Sequence, residues 1–117
     1  MENNDKWIIQ IRKGVFEVAI LSLLKSEAMY GYEITSELNK IPLFQLPNGS
    51  IYPILRRITK NNWATTYWED SQDGPKRKYY KITEEGIKIV ENRMLDYKHV
   101  YESLNSLQNR GRTGPDG

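Results

Sequence analysis

The first quarter of the chain carries a long run of apolar residues at helical spacing. Between residues 7 and 25, apolar side chains recur every three or four positions, and others widen the stripe until it covers almost the whole circumference. A helix of this kind is buried on more than one side. We therefore expect a first helix that packs into its own domain and also faces a second subunit.

A second, shorter helical pattern follows after a break at residues 26–30. It covers residues 31–38 and places Tyr30, Ile34 and Leu38 on one face. The prolines that come next prevent this helix from continuing, because proline lacks a backbone donor and restricts the residue before it. The pattern predicts a short helix that ends before residue 42.

A third helix is predicted from residues 49–50, with Asn48 or Ser50 as its cap, to residues 61–62. Asparagine at the end of the pattern fits the left-handed conformation that often terminates a helix. The apolar residues lie within an arc of roughly 100°, and the basic residues lie opposite. The apolar set is Ile51, Ile54, Leu55 and Ile58; the opposite set is Pro53, Arg56, Arg57 and Lys60.

The chain then changes from helical to strand periodicity. Residues 63–69 are rich in aromatic residues and threonine, residues 78–82 form a similar run, and the cluster at residues 71–75 is typical of a turn. This pattern predicts a two-stranded hairpin. Thr83 follows as the cap of a last helix, with acidic residues in the first turn, where the helix dipole favours them.

The last helix has a heptad-like apolar seam, which indicates packing against another helix. Its positions are Ile87, Val90, Met94, Tyr97, Tyr101 and Leu104. Such a helix finds little intramolecular surface in so small a chain, so we expect a homodimer through Val90, Met94, Tyr97, Tyr101 and Leu104. The alternative is that the helix packs only on its own domain.

These elements predict a mainly α fold with a small β-hairpin, arranged as a winged helix-turn-helix plus a long C-terminal dimerisation helix. We expect the winged helix-turn-helix with its N-terminal helix in residues 1–82, the dimerisation helix in residues 83–109 and a disordered tail in residues 110–117.

The charge distribution agrees with a nucleic-acid partner. The 117 residues carry a net charge of only +2, but residues 47–82 hold seven lysines and arginines against three acidic residues, a net charge of +4. The flanking segments are each at −1. Positive charge is thus concentrated on the third helix and the hairpin, where a winged helix meets DNA. A solvated charged surface is the alternative.

The third helix is the expected recognition helix, and the hairpin is the expected wing. In this interpretation the N-terminal part of the helix meets base edges, while cations on the helix and wing meet phosphates, guanine edges or the minor groove. The predicted DNA-binding residues are Asn48, Ser50, Tyr52, Arg56, Arg57, Lys60, Lys76, Arg77 and Lys78. Ser50 as a simple cap and Tyr52 as a core residue remain alternatives.

The sequence gives little support for catalysis, for metal or cofactor binding, or for insertion in a membrane. The chain has no cysteine and a single histidine, His99, and we expect no catalytic residue, metal site or cofactor. No apolar run is long enough for a membrane span, and the N-terminus does not resemble a signal peptide, so we expect a cytoplasmic protein. A winged-helix protein-interaction module without a specific operator is the second hypothesis. A protein-interaction module does not need a basic face, so the concentration of positive charge favours DNA binding over this second hypothesis.

Three segments of the chain have a familiar form: RKGVFEVAILSLLKSEAMYGYEI, GSIYPILRRITKNN and GPKRKYYKITEEG. In this order and at similar spacings they resemble the PadR family of transcriptional regulators, and the match covers roughly residues 10–108. The chain is similar in length to the short subfamily, which includes LmrR-like regulators. The resemblance implies a homodimeric repressor that binds a pseudo-palindromic operator in double-stranded DNA. It also implies DNA contact by Tyr52 and Arg77.

The same resemblance implies a small aromatic effector. Some short members bind flat aromatic compounds at the dimer centre, and Tyr97 takes the place of the tryptophan on which those compounds stack. The expected effector pocket contains Trp7, Val15 and Tyr97. A tyrosine ring offers less stacking area than an indole.

Overall fold

The chain forms four α-helices and a three-stranded sheet in a computed structural model that describes residues 2–110, with side chains from Lys6 onward. The elements are α1 (Glu2–Ser26), β1 (Met29–Tyr30), α2 (Gly31–Asn39), a short 3-10 helix (Pro42–Phe44), α3 (Ile51–Lys60), β2 (Ala64–Ser71), β3 (Gly74–Ile82) and α4 (Glu84–Asn109). The predicted mainly α fold with a hairpin is confirmed. The tail predicted at residues 110–117 lies, apart from Arg110, outside the described residues.

The sheet is antiparallel, with strand order β1-β3-β2. Strands β2 and β3 form the predicted hairpin, and their register pairs Trp68 with Lys78 and Glu69 with Arg77. Strand β1 pairs Tyr30 with Tyr79. The sequence pattern assigned this segment to a break between helices, because two residues are too few to show an alternating pattern. The extra strand ties the start of α2 to the wing.

The core lies where α1, α2 and α3 meet. Its completely buried side chains are aliphatic, and each contributes about 1.5–3 kcal/mol through removal from water. They are Ile20, Leu21, Ile34, Leu38, Ile51, Leu55 and Ile58. The buried positions on α3 agree with the predicted apolar arc, so the opposite face of α3 is left to solvent.

Helix α1 begins earlier than predicted and is buried only in its second half. Phe16, Val18 and Leu24 belong to the core, whereas Trp7, Ile9 and Ile11 are exposed large apolar side chains. The expectation of burial on more than one side therefore holds within the subunit only beyond the middle of the helix.

The N-terminal end of α3 differs from the predicted cap, and its C-terminal end agrees with the prediction. Ser50 occupies the N-cap position, but its side chain makes no capping hydrogen bond. The preceding turn, in which Gly49 has a φ of +87°, brings the Tyr52 N–H to the Gly49 carbonyl at 3.3 Å instead. At the C-terminal end Asn62 adopts the expected left-handed conformation, with a φ of 64°.

Helix α4 starts on the core and then leaves it. The Thr83 hydroxyl accepts a hydrogen bond from the Gly86 N–H at 3.0 Å, which confirms the predicted cap. Gly86 lies against the backbone of Trp63, where a Cβ would come within 2.2 Å of the Trp63 carbonyl oxygen. Val90 is buried, but every residue from 94 to 109 is exposed within the subunit.

Candidate nucleic-acid interface

A groove of about 440 Å³ lies between α3, the start of α2 and the hairpin formed by β2 and β3, which is the expected wing. We call it the cationic groove, because three cationic side chains and five aromatic side chains line it. Its lining consists of Tyr30, Gly31, Tyr32, Tyr52, Arg56, Trp68, Arg77, Lys78 and Tyr80. Four of the predicted DNA-binding residues, two from α3 and two from the wing, thus meet in one place.

Helix α3 presents its polar stripe to this groove because its apolar stripe is anchored in the core. Tyr52, Arg56 and Lys60 are four residues apart, so they lie on the same side of the helix, and all three are exposed. Lys60 lines an adjoining depression with Arg56 and Lys78. The helix therefore carries a row of one phenol and two cations along its solvent face.

The wing adds cations that rest on aromatic rings. The Arg77 guanidinium lies 4.5 Å from the centroid of the Tyr30 ring, and the Lys78 ammonium lies 5.8 Å from that of Tyr80. Such contacts orient a cation without neutralising it. The wing also places Trp68, largely exposed, opposite Lys78 in the hairpin register.

Burial raises the pKa of the Tyr80 phenol, and nearby Tyr52 adds to the rise while Arg56 partly offsets it. At neutral pH Tyr80 is therefore an uncharged phenol, so it does not cancel the positive charge of the groove.

Arg57 lies apart from this set, although the sequence pattern placed it with Arg56 and Lys60. Its Nε donates to Glu17 Oε2 at 2.6 Å, and Arg93 Nη1 donates to Glu17 Oε1 at 2.8 Å. Burial raises the pKa of the Glu17 carboxyl, but the hydrogen bonds and charges of Arg93 and Arg57 outweigh that effect and lower it. Glu17 of α1 thus links Arg57 of α3 to Arg93 of α4.

Asn48, Ser50 and Lys76 are exposed but do not line the cationic groove. Asn48 and Ser50 lie in the turn that leads into α3, and Lys76 lies near the tip of the wing.

Sequence reasoning missed several groove residues. Tyr30 was assigned to the apolar face of the second helix, but it ends β1 and its side chain is half-buried in the groove. Tyr32, Trp68 and Tyr80 were not singled out. The sequence signal that could have found them was the pair of tyrosines on either side of Gly31.

The apolar seam of α4 is mostly exposed in the subunit. Met94, Tyr101 and Leu104 are exposed, while Val90 is only 4% exposed and packs in the subunit's own core, so it has little surface left for a partner. Tyr97 donates from its hydroxyl to the Gly14 carbonyl oxygen at 3.4 Å. The dimer contact at these positions stays a prediction.

Of the three residues expected in an effector pocket, Trp7 and Val15 lie on α1 and Tyr97 lies on α4. Val15 lines an apolar groove of about 310 Å³ between α1, α2 and the 3-10 helix. Trp7 is exposed on the first turns of α1, and Tyr97 reaches Gly14 from α4.

Two further observations concern other kinds of site. Among residues 2–110, no helix is both long enough and apolar enough to cross a bilayer. In the part of the chain that the structure describes, no three histidine, cysteine or acidic side chains gather in a way that suits a metal ion.

Known proteins match both the sequence and the fold. The model of the transcriptional regulator PadR-like family matches residues 20–92. An uncharacterised protein from Lysinibacillus sphaericus is 31% identical over 96 residues, which make up 80% of this chain and 88% of that protein. The crystal structure of a PadR-like transcriptional regulator from Bacillus cereus is 38% identical, with a TM-score of 0.73 over 86% of this chain and 97% of that chain.

A PadR family transcriptional regulator from Eggerthella lenta shares the fold, with a TM-score of 0.82 over 94% of this chain and 96% of that chain, at 21% identity. The family model covers more than half of the chain, and it describes transcriptional regulators rather than enzymes. The resemblance noted in the sequence is therefore confirmed at the level of the family. The chain belongs to the transcriptional regulator PadR-like family.

Proposed function

We propose that this DNA-binding regulator inserts α3 into the major groove and lays its wing along the neighbouring phosphates. The observation that carries the proposal is the cationic groove, which brings Tyr52 and Arg56 together with Arg77 and Lys78. Tyr52 and Arg56 are the base-edge and phosphate contacts of the helix, together with Lys60. Asn48 and Ser50, at the leading end of α3, add polar contacts.

The wing supplies the contacts that do not depend on sequence. Lys76, Arg77 and Lys78 face phosphates or the minor groove, and Arg77 is held in place by the Tyr30 ring. Arg57 makes its main contribution inside the subunit through Glu17. This division assigns Arg56 and Arg77 to affinity for DNA and Arg57 to stability.

The functional unit in this proposal is a homodimer. What supports it is the exposed apolar face of α4, with Met94, Tyr101 and Leu104, and the exposed apolar side chains of α1. Several large apolar side chains exposed on the same helix are typical of an interaction site. A two-fold dimer presents two recognition helices about one helical turn of DNA apart, and its operator is pseudo-palindromic.

We further propose that the dimer represses transcription and that a small aromatic effector relieves the repression. The pocket would be formed between subunits by Trp7, Val15 and Tyr97, all of which retain exposed surface in the subunit. A ligand that fits one dimer arrangement better shifts the population toward it and changes the distance between recognition helices. Repression and the effector both rest on the family resemblance.

The wing proposal is tested by the salt dependence of DNA binding. Arg77→Ala removes one cation at the DNA surface, so the slope of log K against log salt falls by about one unit. Lys88→Ala, an exposed position near the start of α4, is the matched control and leaves the slope unchanged. If the slope is unchanged in Arg77→Ala, the wing is not part of the DNA interface. If the wild-type protein does not bind DNA at all, the result favours the interaction-module hypothesis.

A further inference from the structure

The Tyr30–Gly31 step joins the wing to the helix-turn-helix. Tyr30 is the last residue of β1, which pairs with wing strand β3, and Gly31 is the first residue of α2. The Glu33 carboxylate accepts a hydrogen bond from the Tyr30 N–H at 3.1 Å and fixes this junction. Both residues line the cationic groove, between the DNA contacts proposed for the helix and those proposed for the wing.

Gly31 lies directly against the Tyr52 ring. A Cβ at Gly31 would be 2.7 Å from Tyr52 Oη, 3.0 Å from Cε1 and 3.1 Å from Cζ. Approaches below 3.0 Å essentially never occur for a Cβ, so the ring has this position only because residue 31 has no side chain. The backbone of Gly31 is the surface against which the phenol of the recognition helix rests.

Tyr30 has the corresponding role for the wing. Its ring lies under the Arg77 guanidinium at 4.5 Å, and it is held in turn by an edge contact with Tyr79 at 5.4 Å. This contact is a cation–π interaction, and it leaves the N–H donors of the guanidinium free to bind an anion. Adjacent residues of one junction thus hold one contact from each half of the proposed interface.

We infer that Tyr30 and Gly31 are positioning residues that set the orientation of Arg77 and Tyr52 for DNA. This inference rests on the proposed function. Neither residue needs to touch DNA for the effect, because each acts through the side chain that it supports.

The test for Gly31 is the variant Gly31→Ala, alone and combined with Tyr52→Ala. The new methyl group displaces the Tyr52 ring, which weakens operator binding by about tenfold, the loss of one contact of ordinary strength. In the Tyr52→Ala background the same substitution has no further effect, because there is no ring to displace. Ser36→Ala, at an exposed position of the same helix, is the control and retains full affinity.

Two readouts separate positioning from a general structural role. The atoms that the new methyl group meets lie at the far end of the Tyr52 side chain, which is 45% exposed and can move aside, so the melting temperature of Gly31→Ala does not fall. The NMR resonances of the Tyr52 ring shift in the free protein. Full affinity in Gly31→Ala, or a loss that persists undiminished without Tyr52, overturns the inference. Failure of the wild-type protein to bind DNA is a separate result and overturns the proposed function itself.

The test for Tyr30 compares two replacements. Tyr30→Phe keeps the ring under Arg77 and retains wild-type affinity, whereas Tyr30→Leu loses the ring and weakens binding as much as Arg77→Ala does. Combining Tyr30→Leu with Arg77→Ala adds nothing further. Equal affinity of the phenylalanine and leucine variants overturns the role assigned to the ring.

Discussion

Glu17→Gln is expected to loosen the connection between α3, the proposed recognition helix, and α4. Glu17 is only 8% exposed, and its two carboxylate oxygens accept hydrogen bonds from Arg57 of α3 and Arg93 of α4. Glutamine has nearly the same shape but offers one neutral acceptor oxygen and an amide that repels the second guanidinium. The substitution therefore weakens both ion pairs without creating a cavity.

The structure sets the magnitude of this effect. A hydrogen bond to a charged group contributes about 1.5–3 kcal/mol when its partners are shielded from water. Here the arginine side chains are 49% and 31% exposed, so water compensates much of the loss. We expect a decrease in the free energy of unfolding of about 2 kcal/mol, between the values for exposed and for buried pairs.

Urea denaturation followed by circular dichroism measures this difference, with all proteins at the same protomer concentration. Glu37→Gln is the matched control, because Glu37 pairs with Lys40 at 2.8 Å while their side chains are 41% and 67% exposed. That pair contributes at most about 0.5 kcal/mol.

The pH dependence supplies a second check. The arginines hold the pKa of Glu17 below its usual value in the folded protein. A depressed carboxyl pKa stabilises the fold above the pKa of the unfolded chain, and this contribution is lost as the pH falls through the lower folded value. The difference between wild type and Glu17→Gln is thus full at neutral pH and closes in acid. A loss no larger than that of Glu37→Gln, or one that persists undiminished in acid, would show that the two arginine–Glu17 ion pairs do not stabilise the fold.

Two further predictions concern α4. Gly86→Ala forces a methyl group against the Trp63 carbonyl and should lower the free energy of unfolding by about 1–3 kcal/mol. Gly14→Ala, where a methyl group meets open space, should be neutral or stabilising; equal effects of the two on the melting temperature would contradict the close contact. Tyr101→Glu or Leu104→Glu should give folded monomers by light scattering, since these side chains are 70% and 54% exposed in the subunit. Ser103→Glu should leave the dimer intact, and dimers in all three variants would place the interface elsewhere.

Local pattern was enough to predict the main elements. The third helix was predicted with its buried arc because its apolar residues recur at a helical period, and Asn62 was recognised as a terminator because asparagine tolerates the left-handed region. Thr83 was recognised because a hydroxyl before two acidic residues is typical of a helix start. Each of these features depends only on neighbouring residues.

Contacts between residues that are far apart in the sequence could not be predicted from the local pattern. Glu17 is 40 residues from Arg57 and 76 from Arg93, so nothing in the local sequence links them. A helical projection gives the direction in which the Arg57 side chain leaves α3, but it does not show which residue the side chain contacts. The sequence pattern therefore groups Arg57 with the DNA contacts.

The same limit applied to the groove. Tyr30 comes to lie under Arg77 only because the two-residue strand β1 pairs with β3. The place of Tyr30 in the cationic groove thus depends on a pairing too short to detect from periodicity.

The most direct test of the account is the binding of the full chain to DNA from upstream of its own gene, followed by fluorescence anisotropy. The titration is performed at two salt concentrations with excess competitor DNA. We predict tight binding to a pseudo-palindromic segment that survives the competitor and weakens with salt in proportion to the phosphates contacted. Binding that disappears equally with competitor and with salt for every segment tested would contradict a regulator that reads an operator through its recognition helix.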